Sequence, residues 1–119
     1  MRKSMQVGMD AKMQECIEAC QQCHDVCTTT VAHCLEMGGE HAAPDHIRML
    51  LDCAEICQTS ANFMIRMSDM HGSVCGVCAE ICESCAEECE RFGDDKMMQE
   101  CAQVCRSCAE SCQEMAAQM

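Results

Sequence analysis

"CIEACQQCHDVC", residues 16–27, places its cysteines four, three and four residues apart. That is the interval at which one face of a helix meets its neighbours. Leucine normally fills such a face; here the face carries thiols. The pattern recurs in "CAEICQTSANFM" (53–64), "CAEICESCAEEC" (78–89) and "CAQVCRSCAESC" (101–112). Three copies keep all four cysteines. The copy at 53–64 keeps Cys53 and Cys57 and has Ser60 and Met64 in the other two places. Four related segments in one short chain predict four similar helices.

Helix breakers fall between the copies. "GGEHAAPD" (38–45) separates the first two, and its Pro44 suits a first helical turn. "HGS" (71–73) precedes the third copy, with Ser73 a candidate N-cap, and "FGDD" (92–95) precedes the fourth, with Gly93 as stop and Asp94 as N-cap. The predicted helices run over about 9–37, 45–70, 74–92 and 95–117, with ends uncertain by roughly 2–4 residues. Connections this short make neighbours antiparallel. The expected fold is all-α: an up-down-up-down four-helix bundle with a cysteine-lined core, one domain over residues 1–119, with residues 1–8 a frayed N-terminal segment.

The inward stripe can be written residue by residue. The first helix presents Met9, Met13, Cys16, Cys20, Cys23, Cys27, Thr30, Cys34 and Met37. The second presents Cys53, Cys57, Ser60, Met64, Met67 and His71. The third presents Cys75, Cys78, Cys82, Cys85, Cys89 and Phe92, and the fourth Met98, Cys101, Cys105, Cys108, Cys112, Met115 and Met119. These are the a and d positions of a bundle. Val26, Ile56, Ile81 and Val104, each one residue before a stripe cysteine, are placed to pack between helices.

Composition bounds the function. The chain has 16 Cys, 13 Met and only two aromatic residues among 119, so its core is built largely from sulfur-bearing and small side chains. The formal charge of −12 argues against nucleic acid, which needs basic patches, and favours attraction of cations. No run of 18 apolar residues occurs, so no membrane span is expected. The start "MRKSMQVGMDAKMQ" lacks the apolar run of a leader, so the expected location is the cytoplasm. Thiols stay reduced there, and many cysteines then point to metal binding before disulfides.

Spacing narrows the chemistry. Cysteines four apart on a helix have Cβ atoms roughly 5–6 Å apart, too far for a disulfide, which needs about 3.8 Å. The pairs 16/20, 23/27, 53/57, 78/82, 85/89, 101/105 and 108/112 therefore do not close on themselves. A two-coordinate ion with metal–sulfur bonds of roughly 2.2–2.3 Å needs sulfurs about 4.5 Å apart, which rotamer adjustment supplies. Cu(I) accepts such soft pairs. Zinc asks for four ligands, often including histidine; pairs on separate helices can be grouped in fours, so a zinc or general heavy-metal thiolate buffer stays open. Antiparallel order gathers Met9, Met13, Met64, Met67, His71, Met115 and Met119 at one end, and thioethers are soft ligands suited to Cu(I). The other end gathers Cys34, Met37, His41, His46, Met49, Met97 and Met98 on looser sequence, where the plain reading of each single histidine is solvent exposure. CxxC pairs such as 20/23 and 82/85 lack the strand context of a redox motif and the Cys-Pro of a ferredoxin run, and no nucleophile–base pair stands out, so no enzyme is expected.

The repeated CxxxCxxC pattern, the "HCLEMGGEH" turn, "LDCAEICQTSANFM" and the final "CAQVCRSCAESC" resemble the bacterial copper storage proteins, a family of cysteine-rich four-helix bundles. The likeness spans about residues 13–116. It implies storage of several Cu(I) ions per chain by thiolates inside the bundle, with His and Met near an open end, and a homotetramer of bundles. The missing leader resembles the cytosolic branch of that family.

Overall fold

The computed structural model describes residues 11–118. Met9, Met119 and the expected frayed segment 1–8 lie outside them. Four helices carry the chain: α1 (Ala11–Met37), α2 (Pro44–Ile65), α3 (His71–Glu90) and α4 (Lys96–Ala117), with a short 3-10 turn at Gly39–Ala42 between the first two. Each helix packs against two others, in the cyclic order α1, α2, α3, α4, and the diagonal backbones stand apart. The result is an elongated antiparallel four-helix bundle with extents of 48 × 28 × 20 Å.

The connections follow local chemistry. α1 ends at "GG", where Gly38 (φ +70) and Gly39 (φ +57) take left-handed backbone that a β-carbon would strain. Pro44 then opens α2 at its first turn, as expected. α4 is capped by Asp95, not Asp94: the Asp95 Oδ1 accepts from the backbone N–H groups of Met97 (2.9 Å) and Met98 (3.3 Å). Asp95→Ala is therefore expected to cost the apo protein about 1 kcal/mol. That is a fall of several degrees in thermal midpoint, read by circular dichroism.

Two helix ends differ from the sequence reading. α2 stops at Ile65, five residues short of the expected 70. Its end is a Schellman turn: Ser68 N–H donates to the Phe63 carbonyl (2.9 Å) and Met67 N–H to the Met64 carbonyl (3.0 Å). The residue at the turn is Met67 (φ 58), where glycine is usual, so the sequence carries no stop signal there. α3 begins at His71, and the expected cap Ser73 lies inside it. No side chain caps α3 at its N-cap, Met70; the Ser68 hydroxyl instead orders the turn before it, accepting from the Met70 N–H at 3.0 Å.

The core follows the predicted stripe for most of its length. All sixteen cysteines are free and buried. Met13, Thr30, Ser60, Met64, Met98 and Met115 are buried with them. Met37 and Met67 leave the stripe, at 55% and 41% exposure. Met37 is the last residue of α1, and Met67 lies past the end of α2. Val26, Ile56, Ile81 and Val104 pack half-buried against the core. A second inward row was not read from the sequence: Ala54, Ala61, Ala79, Ala86, Ala102 and Ala109 are buried, five of them directly after a stripe cysteine. Their methyl groups let the helices approach closely enough for short thiol side chains to meet on the axis.

Candidate metal centre

The sulfurs form one connected column. Within helices, Cys23 and Cys27 lie 4.0 Å apart and Cys78 and Cys82 3.8 Å. Most contacts cross between helices. At one end Cys112 of α4 meets Cys16 (3.6 Å) and Cys20 (3.5 Å) of α1. In the middle Cys53 of α2 meets Cys23 (3.8 Å), Cys82 (3.7 Å) and Cys105 (3.9 Å), one on each other helix. Cys57 of α2 meets Cys78, Cys82 and Cys108 at 3.6–3.8 Å. Toward the far end Cys27 meets Cys101 at 3.9 Å.

These contacts resolve into groups whose sulfurs all lie within 4.8 Å of one another: Cys20/78/108/112, Cys23/53/57/82, Cys23/27/53/105, Cys57/78/82/108 and Cys16/75/112. The groups share members: Cys23, Cys53, Cys57, Cys78, Cys82, Cys108 and Cys112 each belong to at least two. A set of isolated tetrahedral sites needs four private ligands per ion. Shared sulfurs instead suit bridging thiolates and an ion that accepts two or three soft donors.

The thiols are electrically uneven. The Cys53 thiol is pushed down, chiefly by its contact with Cys105, and Cys20 chiefly by its contact with Cys108. Cys57 is pushed up, chiefly through its bond with Cys108. The shifts run in opposite directions because a thiolate is favoured where neighbouring thiols can donate to it and disfavoured where it must itself donate. A soft cation bound between two such sulfurs would take the place of the proton they share.

The column has a different donor set at each end. Cys34 is buried, its thiol pushed up to about 11 by burial, with the charges of Asp95 and Cys101 adding to the shift. Its sulfur lies 3.4 Å from His46 Nε2 and 3.6 Å from Met98 Sδ. His46 is 1% exposed, which corrects the expectation of a solvent-facing histidine. Burial pushes its pKa down, against an opposing pull from Glu88. The neutral ring donates Nδ1–H to Glu88 (3.3 Å), and Glu88 is paired with Arg91. A carboxylate on the far nitrogen is how a metal-binding histidine is usually oriented. Thiol, thioether and imidazole thus converge on one point.

At the opposite end the antiparallel order brings the start of α1 to the end of α4, shown by the Lys12–Glu114 ion pair at 3.1 Å. Met13, Met64 and Met115 are buried there beside the Cys16/75/112 group. Ser60 takes the place of a repeat cysteine and stays in the polar chain through Cys75, 3.3 Å away. Met67 and His71 sit at the rim, and the His71 Nδ1–H donates to the Ser68 carbonyl at 2.8 Å.

Comparison with known proteins matches the family model "Copper storage protein" over residues 9–117. The chain belongs to the copper storage protein family. A protein of Nitrosospira multiformis has 50% identity, with a TM-score of 0.87, covering 93% of this chain and all of that one. The Cu(I)-bound copper storage protein BsCsp3 has 37% identity and a TM-score of 0.83, over 88% and 98% of the two chains. A copper storage protein from Streptomyces lividans, loaded with 10 copper equivalents, has 32% identity and a TM-score of 0.79, over 91% and 86%. Within a copper storage protein fold, the sequence reading identified every buried thiol. It underweighted His46 and Met98, the nitrogen and thioether donors nearest Cys34. The signal was available: 46, 50, 53, 57, 60 and 64 keep one register, so His46 and Leu50 continue the inward face of α2.

Proposed function

We propose that this chain stores Cu(I), holding several ions per chain on the thiolate column and releasing them without catalysis. The observation that carries this reading is the sharing of sulfurs among buried groups within 4.8 Å, together with membership of the family. The sixteen cysteines are the proposed ligands. Met13, Met64 and Met115 are proposed as thioether donors at one end, with Met67 and His71 at its rim; Met9 belongs to the same proposal. The end with Cys34, His46 and Met98 supplies a mixed site. The net charge of −12 raises the local concentration of cations.

Titrating the reduced protein with Cu(I) against a competing chelator is expected to give about eight ions per chain, two thiols to each. Fewer than about four would overturn storage in the column. The second reading is a zinc buffer, favoured by one observation: contacts of 3.6–3.8 Å around Cys57 match the tetrahedral edge of about 3.8 Å for a four-thiolate zinc site. Metal analysis of protein from copper-replete cells separates the two, and copper far in excess of zinc is expected.

The location is proposed as cytosolic, supported by the likeness to a Streptomyces lividans protein described as cytosolic; among the described residues no helix is long and apolar enough to cross a membrane. The assembly is proposed as a homotetramer, supported by exposed Leu35, Leu51, Ile65 and Val77, and sedimentation tests it.

Met67 allows its backbone and ligand roles to be separated. At φ 58 a methionine is strained where glycine is not. Met67→Gly is expected to stabilise the apo protein by about 0.5–1 kcal/mol. If Met67 hands copper into the column, the same variant loads more slowly in stopped flow. An unchanged loading rate would remove Met67 from the ligand set.

A further inference from the structure

A second donor cluster lies outside the thiol column. His33 comes from α1, His41 from the 3-10 turn, and Asp95 from the start of α4. His33 Nε2 lies 2.7 Å from the Asp95 Oδ2, and His41 Nε2 lies 3.0 Å from the same oxygen. The other Asp95 oxygen is taken by the N–H groups of Met97 and Met98. Oδ2 is therefore left to the two imidazoles. The three side chains are 21%, 18% and 15% exposed, respectively, so the cluster is held in place yet reachable. A surface cleft lined by His41, Phe92, Asp94 and Asp95 opens beside it.

From this convergence we infer that His33, His41 and Asp95 form a site for one divalent cation of the zinc class, separate from the thiol column. The geometry fits the ion. With bonds of about 2.0–2.1 Å, two ligands of a tetrahedral ion stand about 3.3 Å apart. Opening the His33–Asp95 contact from 2.7 Å and the His41–Asp95 contact from 3.0 Å toward that edge would make room for an ion, with the His33 and His41 rings edge-on at 5.8 Å between centroids on its third side. Asp95 already carries the charge, its carboxyl held down to about 2 chiefly by the His33 bond.

The donor chemistry separates this site from the column. Two imidazoles and a carboxylate, with no sulfur, are a borderline-to-hard set that suits a divalent ion better than the soft thiolates of the column do. Phe92 stands between the two ligand sets: its ring lies 4.4 Å from that of His41 and 4.8 Å from that of His46. An ion bound to the outer set pins α1, the turn and α4 together around the end that holds Cys34. The fourth position is open to water or to Asp94, which shares the cleft.

The test uses Zn2+ added to protein already saturated with Cu(I), so that the thiols are occupied. One zinc per chain beyond the copper content is expected, measured by competition with a chromophoric chelator. The ring C–H signals of His33 and His41 should shift in the proton NMR spectrum on adding zinc, and that of His24 should not. His33→Ala and His41→Ala are each expected to weaken the extra zinc by more than about 100-fold, since loss of an outer-shell partner alone costs 10–100-fold. Both variants should keep the full copper content. Failure of copper storage appears as missing copper; failure of this site appears as copper without the extra zinc. Extra zinc that survives in the His33→Ala/His41→Ala double variant, or no extra zinc in the parent, would overturn the inference.

Discussion

Loading the reduced chain with Cu(I) is expected to lift its thermal midpoint above about 90 °C, into the hyperstable range. The apo bundle has little to draw on. Its axis is lined by thiols and alanines where leucines would bury more apolar surface at about 25 cal/mol per Å². A domain of ordinary size holds a margin of only about 5–15 kcal/mol. Each ion bound a thousandfold above its dissociation constant adds about 4 kcal/mol to the folded state. Several ions therefore add more than the whole apo margin. Unfolded chain still carries sixteen thiols and binds some copper, which reduces the gain. Contacts across helices preserve most of it, because Cys53 alone meets sulfurs on all three other helices, an arrangement the unfolded chain lacks. Circular dichroism melts at increasing copper-to-protein ratios should show the midpoint climbing with each addition until saturation. A melting curve that does not move on loading would place the copper outside the column.

The distance between sequence and structure in this chain is a matter of period and of backbone. Helix count and the thiol stripe follow from intervals of three and four, and antiparallel order from the short connections between the copies, all of which the sequence displays. His46 and Leu50 lie on the same register as Cys53, but neither belongs to a repeat, and a histidine alone reads as a surface residue. The alanine row was hidden because alanine is apolar enough for the core and common enough on surfaces. The end of α2 was hidden because its Schellman turn uses Met67 where glycine would have signalled it. Asp94 and Asp95 are adjacent and chemically identical; only the backbone geometry at the start of α4 selects Asp95 as the cap. Which sulfurs meet could not be read either. The repeats advertise pairs within one helix, whereas contact between helices depends on their axial stagger, fixed by loops of different lengths.

That dominance of contacts between helices leads to the second large effect. Replacing Cys53 and Cys105 together by serine is expected to remove one to two of about eight ions, at two thiols per ion. Cys105 lies 3.8 Å from both Cys23 and Cys27 and 3.9 Å from Cys53. Cys53 is common to the Cys23/27/53/105 and Cys23/53/57/82 groups. The double change therefore halves the Cys23/27/53/105 group, leaves Cys27 with Cys101, and removes one of the thiol contacts between α2 and α4 while Cys57–Cys108 remains. The fold should survive, because the chain already contains the equivalent substitution. Ser60 is fully buried at a stripe position and keeps its hydroxyl bonded to a thiol, Cys75. A buried hydroxyl with a partner costs far less than the 1–3 kcal/mol of an unpaired one. The apo midpoint should thus fall by only a few degrees, while the loaded protein also loses the share of its gain that those one to two ions supplied and its copper content drops. Copper counted per chain by chelator competition, beside apo and loaded melts of the same variant, separates the two effects. Full copper capacity in the double variant would show that the ions do not sit on the mid-column sulfurs. A matching drop in the apo and loaded midpoints would assign Cys53 and Cys105 to packing instead of to the ligand set.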